Sequence, residues 1–256
     1  MLEIRPIPAF TDNYIWLACN TECPSEAIII DPGTADPVIK VLESEGLRLV
    51  AILITHRHWD HVDGIPTLTA RYPVPVYGPA GGHIAGITHP LGDGQFVAPL
   101  PGVSLEVLAV PGHTLDHIAY YGHDSLLCGD SLFNAGCGRI FDGTAEQLFH
   151  SLQRLSRLPD STQVYCAHEY TLSNLRFAQS VEPDNQDLAA YSRTAESLRK
   201  RGLPTLPTDI ATQRRINPFL RCDIPAVQAS IAAFAGRPLT DPEEFFKILR
   251  FWKDTL

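Results

Sequence analysis

The sequence predicts an α+β fold in which two mixed β-sheets pack on one another between flanking helices, followed by a smaller helical domain. Three observations predict it. Within residues 1–170, strand-like segments outnumber helix-like ones and several follow one another directly, which a simple alternating parallel sheet does not produce. After residue 170 the strand signal fades. The charge balance changes at the same place: residues 1–170 hold 8 Lys and Arg against 19 Asp and Glu, whereas residues 171–256 hold 12 against 10. The expected division is therefore 1–170 and 171–256.

Short apolar runs bounded by Gly, Pro and Asp predict strands at 3–8, 14–19, 27–31, 50–55, 74–77, 104–110, 118–121, 125–128 and 164–167. Asp31-Pro32-Gly33 and Pro111-Gly112 read as turn punctuation between them. Helices are expected at 34–45, 63–72 and 144–157. The last carries a capping box, Thr144-Ala145-Glu146-Gln147, and an apolar stripe of Leu148, Leu152 and Leu155. In the tail, residues 185–201 place Leu188, Tyr191, Ala195 and Leu198 on one helix face, with Asp184 as the cap and Gly202 as the stop. A Pro-rich connector follows at 204–207. Asp241-Pro242-Glu243-Glu244 opens a final helix with an N-cap, a proline in the first turn and acids facing the dipole. Its expected apolar face is Phe245, Ile248, Leu249 and Trp252.

A chain of 256 residues with 45% apolar and 19% charged residues can bury a sizeable core. A net charge of −9 argues against nucleic-acid binding. No apolar run approaches the length of a membrane span. The first residues show no basic segment leading into an apolar one, and the six cysteines form no C-x-x-C pair. A cytoplasmic protein with reduced thiols is expected, with a bridge or a soft-metal pair as the alternative for Cys19 and Cys23.

Chemistry concentrates at His56-Arg57-His58-Trp59-Asp60-His61. This stretch follows the buried-strand run Val50–Ile54 and Thr55, and puts four metal-ligand side chains within six positions. Imidazoles and a carboxylate suit zinc or iron. Three further segments repeat the arrangement of an apolar strand ending in a ligand: His113 after strand 104–110, Asp130 after Leu126-Leu127-Cys128-Gly129, and His168 after Val164-Tyr165-Cys166-Ala167. Alone, the aspartate would be a turn former and each histidine a surface residue. Together and in this order they mark a metal site. His117 is expected to hydrogen-bond near the site or support a ligand. His83, His89, His123 and His150 are expected at the surface or in structural roles, and Cys137 and Cys166 as small packing residues rather than nucleophiles.

With these residues the sequence resembles the metallo-β-lactamase superfamily and, within it, glyoxalase II (hydroxyacylglutathione hydrolase). The narrower likeness rests on Phe10-Thr11-Asp12-Asn13-Tyr14, Gly136-Cys137-Gly138-Arg139, His168-Glu169-Tyr170-Thr171, Asn217-Pro218-Phe219 and Arg250-Phe251-Trp252-Lys253. It implies an αββα sandwich followed by a small C-terminal α-helical domain. It implies that His56, His58 and His113 bind one divalent metal, that Asp60, His61 and His168 bind a second, and that Asp130 bridges them. Zinc is the expected metal, with iron or manganese as alternatives.

Arg57 stands where many relatives have histidine and Asp63 where many have glycine, neither a ligand position. Phe141 stands where some have tyrosine, which removes one expected substrate hydrogen bond. Arg250 and Lys253 are three apart on one helix face, and the resemblance assigns them to the glycine carboxylate of glutathione, with Arg139, Tyr170 and Asn174 as the other substrate positions.

A hydroxide shared by the two cations and held at Asp130, Asp60 and His58 would attack a metal-polarised thioester carbonyl and expel a thiolate. The implied reaction converts S-D-lactoylglutathione, or another S-(2-hydroxyacyl)glutathione, to glutathione and a 2-hydroxy acid, as in methylglyoxal detoxification. The implied protein is a monomer whose partner is that small molecule. The rival expectations are a broad thioesterase or lactonase, a mononuclear-iron persulfide dioxygenase, and a non-catalytic metal-binding protein.

Overall fold

The computed structural model of the chain describes residues 2–81 and 83–256. Its contacts form two compact units, Met1–Val110 with Asp116–Gly129, and Pro111–Leu115 with Asp130–Leu256.

The first unit contains a six-stranded sheet of β1 (Leu2–Ala9), β2 (Asn13–Asn20), β3 (Cys23–Ile30), β4 (Arg48–Leu53), β5 (Val76–Pro79) and β6 (His89–Leu91), in that order. The first three strands are antiparallel and the remainder pair in parallel, so the sheet is mixed, as expected. Ile28-Ile29-Ile30 and Ala51-Ile52-Leu53 are buried on both faces, which is why they read as unbroken apolar runs. Parallel pairing requires crossovers. Helix α1 (Asp36–Glu45) joins β3 to β4, and α2 (Trp59–Val62) with α3 (Ile65–Arg71) joins β4 to β5. An antiparallel meander follows: β7 (Phe96–Leu100), β8 (Val103–Ala109), β9 (Ile118–Gly122) and β10 (Ser125–Gly129). One core cluster of the unit gathers Ile15, Leu17, Ile29, Ile52, Ile54, Leu68 and Val76.

The single helix expected at 63–72 is two. The first begins at Trp59, so Asp60 and His61 leave from a helical turn rather than a loop. The break falls at Gly64, whose N–H donates to the Pro32 carbonyl (2.8 Å), and Pro66 opens the second helix. Strands β6 and β7 were not expected, because Pro90 and Pro99 interrupt their pattern.

The second unit holds a short hairpin, β11 (Leu132–Phe133) with β12 (Gly136–Cys137), and a two-strand pair, β13 (Gln163–Cys166) with β14 (Thr208–Asp209). The helices are α4 (Ala145–Ser156), α5 (Thr171–Val181), α6 (Gln186–Lys200), α7 (Ile210–Ile216), α8 (Pro225–Ala235) and α9 (Pro242–Asp254). The capping box of α4 forms in full. The cap of α6 is Asn185, not Asp184: its side chain accepts from Leu188 N while its amide holds the Glu182 carboxylate and the Arg215 carbonyl. Asp241 caps α9 as expected, but the buried face is Phe245, Phe246, Leu249 and Arg250. Phe246 packs on Phe149 and Phe219, while Ile248 and Trp252 of the expected face are half-buried, Trp252 stacking on Phe234. Asn217 donates to the carbonyls of Phe133 (3.2 Å) and Gly136 (2.9 Å), and Gln213 to Asn134 Oδ1 (2.8 Å), so buried amides of the helical part fasten the β11–β12 hairpin. Among the described residues no helix is long and apolar enough to cross a membrane.

Candidate active site

In the first unit the donors gather at the end of β4. Asp31, at the end of β3 with φ 53°, is buried and organises them. Its carboxylate accepts from Thr55 N (2.8 Å) and Thr55 Oγ1 (2.7 Å), and its Oδ2 lies 3.0 Å from His61 Nδ1. That contact turns His61 Nε2 towards Asp60 Oδ2, 3.6 Å away. Asp60 Oδ2 in turn accepts from Asn13 Nδ2 (3.0 Å). His56 Nδ1 lies 3.1 Å from Thr55 Oγ1, and its Nε2 is 3.0 Å from His58 Nδ1. His117 stacks on His56 with centroids 4.6 Å apart, the supporting position expected of it.

Imidazoles with one nitrogen fixed by a carboxylate or hydroxyl and the other aimed at further donors have the second-layer support of metal ligands. Asp31 escaped the sequence reading, which took it for a turn former. The available signal was its place directly after a fully buried strand, where a carboxylate needs strong partners.

The second unit holds His113, Asp130 and His168, which follow β8, β10 and β13 in sequence and are all buried. His113 Nδ1 donates to the Arg139 carbonyl (2.7 Å), which leaves Nε2 facing Asp130 Oδ2 at 3.5 Å. His168 Nε2 lies 3.3 Å from the other oxygen, Asp130 Oδ1. One carboxylate thus presents an oxygen to each imidazole. Gly138 makes this closeness possible: a Cβ there would collide with the Asp130 carbonyl and stand 2.9 Å from His113 Nδ1. Tyr170 stacks on His168 at 4.6 Å, and the exposed Phe141 sets its ring edge-on to His113 at 5.2 Å.

The positions singled out for substrate differ among themselves. Arg139 is exposed, with Nε 3.4 Å from Asp254 Oδ1. Arg250 is only 4% exposed; its Nη2 donates to the same Asp254 oxygen (3.0 Å) and its Nη1 to the Cys137 carbonyl (3.0 Å). Its buried Nε has no hydrogen-bond partner among the described residues. Lys253 Nζ donates to the Ser173 carbonyl (3.3 Å) and lies 5.1 Å from the centre of the Phe177 ring. Burial, with the nearby Arg250 and Arg176 guanidinium groups, lowers its pKa to about 8. Asn174 is buried and donates to the Asn134 carbonyl (3.1 Å).

All six cysteines are free. Burial pushes the Cys137 thiol up to about 11, against the opposing pull of Arg250, and the Cys166 thiol up to about 12. Both are protonated packing residues, as expected. His150 Nε2 pairs with Glu243 at the surface (3.0 Å), His123 accepts from Ser104 N (3.2 Å) and His89 sits beside Thr88; these rings and His83 belong to neither donor set.

Residues 22–168 match the model of the metallo-beta-lactamase superfamily, so fold and donors define a member of that superfamily, with a helical C-terminal domain appended. A solved structure of ETHE1 from Myxococcus xanthus shares the fold, with 26% identity and a TM-score of 0.67 over 96% of this chain and 89% of that one. That of TTHA1623 in a di-iron-bound form has 25% identity and a TM-score of 0.61 over 84% and 100%. Residues 169–256 match the hydroxyacylglutathione hydrolase C-terminus. The hydroxyacylglutathione hydrolases of Nitrosomonas europaea and Alkalilimnicola ehrlichii are 50% and 51% identical over 99% of this chain, covering 96% and 99% of their own lengths. The chain belongs to the hydroxyacylglutathione hydrolase (glyoxalase II) family.

Proposed function

We propose that the chain hydrolyses the thioester of S-(2-hydroxyacyl)glutathione, S-D-lactoylglutathione first, to glutathione and a 2-hydroxy acid. The observation that carries this reading is the Asp130 carboxylate set between His113 and His168, within a chain whose family likeness runs its full length.

His56, His58 and His113 are assigned to one divalent metal, Asp60, His61 and His168 to a second, and Asp130 to both. The donors fit such a pair, being imidazoles with outer nitrogens already fixed and carboxylates able to offset the cations' charge. Zinc is the proposed ion; iron and manganese suit the same donors. When bound, the metals supply Lewis-acid polarisation of the thioester carbonyl and a water acidified towards a pKa of about 7.

The chain's own residues do the rest. Asp31 and the Arg139 carbonyl hold His61 and His113 in their tautomers, and Asn13 orients Asp60. A thiolate is a better leaving group than an amine, so it leaves without needing a strong protein acid. Arg139, Tyr170 and Lys253 are proposed to meet glutathione directly, with Arg250 and Asn174 beneath them in the fold. Residues 1–170 then carry the donors with Arg139 and Tyr170, and 171–256 add Asn174, Arg250 and Lys253 to the glutathione side. Six free thiols suit a cytoplasmic setting.

The test is to incubate metal-loaded protein with S-D-lactoylglutathione and measure free thiol, with a lactone lacking sulfur as the comparison. Thiol release is expected. A protein that opens the lactone and leaves the thioester intact overturns the reading. Elemental analysis after reconstitution should approach two metals per chain, and a value fixed near one defeats the paired assignment.

A further inference from the structure

Helix α5 begins without a side-chain cap, although it carries Asn174 and the Ser173 carbonyl to which Lys253 donates, and Tyr170 leads directly into it. Its start is held from outside instead. Glu169, between His168 and Tyr170, is buried, its side chain only 6% exposed. Its Oε2 accepts from Thr205 N (2.9 Å), and its Oε1 lies 2.6 Å from Thr205 Oγ1. The same hydroxyl lies 2.6 Å from Thr171 Oγ1, on the first residue of α5. Each hydroxyl has one proton to give, so Thr171 can donate to Thr205 and Thr205 to the carboxylate. Arg199 Nη1, 3.7 Å from Glu169 Oε2, also donates to the Leu203 carbonyl (2.8 Å). The carboxylate therefore pins the connector at residues 203–205 against the turn where β13 passes into α5. Tyr170, on that turn, stacks on His168 with planes 6° apart, and the Phe133 ring meets both edge-on. His168 has a separate hold, Asp130 Oδ1 at 3.3 Å.

We infer that Glu169 is a positioning residue for glutathione binding: by tying Thr205 to the start of α5 it sets Tyr170, Asn174 and the Ser173 anchor of Lys253 in place for the substrate. Its loss acts on substrate affinity and leaves the metal donors in place. This rests on the proposed reading of Tyr170 and Lys253 as glutathione contacts.

The test compares wild type, Glu169→Ala, Glu169→Gln, Thr205→Val and Thr205→Ser as full-length, zinc-loaded chains. KM and kcat are measured for S-D-lactoylglutathione and for a small thioester lacking the glutathione carboxylates. Calorimetry gives the Kd of an S-alkyl glutathione thioether, which has no thioester to hydrolyse. Zinc affinity is read by titration against a chromophoric chelator, and Tm by thermal unfolding. Glu169→Ala should raise KM and the thioether Kd about tenfold, with kcat within about threefold of wild type. Zinc affinity and the rate with the small thioester should not change. Glu169→Gln should rescue, since its amide oxygen can accept from Thr205 N while its N–H donates to Thr205 Oγ1. Thr205→Val, which breaks the hydroxyl link to Thr171, should raise KM about threefold, and Thr205→Ser should restore it.

A lowered Tm with KM and thioether Kd unchanged overturns the inference in favour of a general role in folding. Weakened zinc binding with thioether Kd unchanged overturns it in favour of support for His168. An equal loss with the small thioester overturns it too, because that substrate has no carboxylates to be held. If Glu169→Ala does not fold, Thr205→Val against Thr205→Ser decides, and equal thioether Kd values in those two overturn the inference. A wild-type chain that neither releases thiol from S-D-lactoylglutathione nor binds the thioether defeats the proposed reaction and the inference with it. Wild-type turnover with one Kd across all variants defeats the inference alone.

Discussion

The two donor sets are built in different ways. In the first unit, four donors leave six consecutive residues, and side chains hold them: Asp31 on His61, Thr55 beside His56, Asn13 on Asp60. In the second, three donors follow three separate strands in sequence, and main chain holds them: the Arg139 carbonyl on His113, and Gly138 pressed against Asp130. A side-chain support is removed by one conservative substitution with the backbone left in place. A main-chain support yields only to a change of backbone, so the second set should tolerate less.

The comparison can be broken at its largest point first. Asp130→Ala removes the carboxylate between two imidazoles and should lower kcat/KM by at least about 10³-fold, since metal stabilisation contributes several kcal/mol. Metal content should fall at both sites, whereas His168→Ala should weaken mainly one; equal metal loss in the two variants would sink the bridging role. Gly138→Ala comes next. The added methyl must displace the Asp130 carbonyl or the His113 ring, and zinc affinity should drop about 100-fold. Asp31→Asn keeps the shape and can still accept from Thr55, but loses the charge that orients His61. About tenfold weaker zinc binding is expected. If the asparagine variant loses more metal than the glycine variant, the ranking of main-chain over side-chain support is wrong.

Lys253 gives a smaller effect with a pH signature. Its ammonium is disfavoured in the folded chain, with a pKa of about 8 against 10.5 for an ordinary lysine. Between those values the unfolded chain binds more protons, so folding stability should rise with pH across that window. Activity should run the other way. As Lys253 loses its charge above about pH 8, KM for the glutathione thioester should climb about tenfold while kcat at saturating substrate stays level. In Lys253→Met, KM should be high and flat from pH 7 to 9, and a pH-dependent KM in that variant rules out this lysine as the cause. Smallest of all, Thr144→Ala breaks the α4 capping box and should reduce stability by about 1 kcal/mol with zinc affinity untouched, as chemical denaturation and the chelator titration would show.

What the sequence disclosed follows the same division. The His56–His61 donors were legible because they are local: chemistry and spacing lie in six letters. His113, Asp130 and His168 were legible only jointly, each being ordinary alone. Asp31 and the burial of Arg250 were not legible, because both depend on partners far away in the chain, His61 for one and Cys137 for the other. Helices α5 and α7 escaped because Ser173, Asn174 and Gln179 in one, and Gln213, Arg214 and Arg215 in the other, blur any apolar face. Several of those polar groups turn inward to bond carbonyls or hydroxyls, a use that hydrophobic periodicity cannot register.

The buried cysteines have a consequence for a protein whose proposed product is itself a thiol. Mixed disulfides form by attack of a thiolate, so exchange with oxidised glutathione scales with the ionised fraction of a protein's own sulfur. At pH 7 a thiol with a pKa of about 11 is ionised to roughly one part in 10⁴, against a few per cent for an ordinary cysteine. Cys137 and Cys166 are also shut away from solvent. The sulfur atoms beside the donors are therefore poor nucleophiles towards oxidised glutathione, and glutathionylation should leave the reaction centre alone.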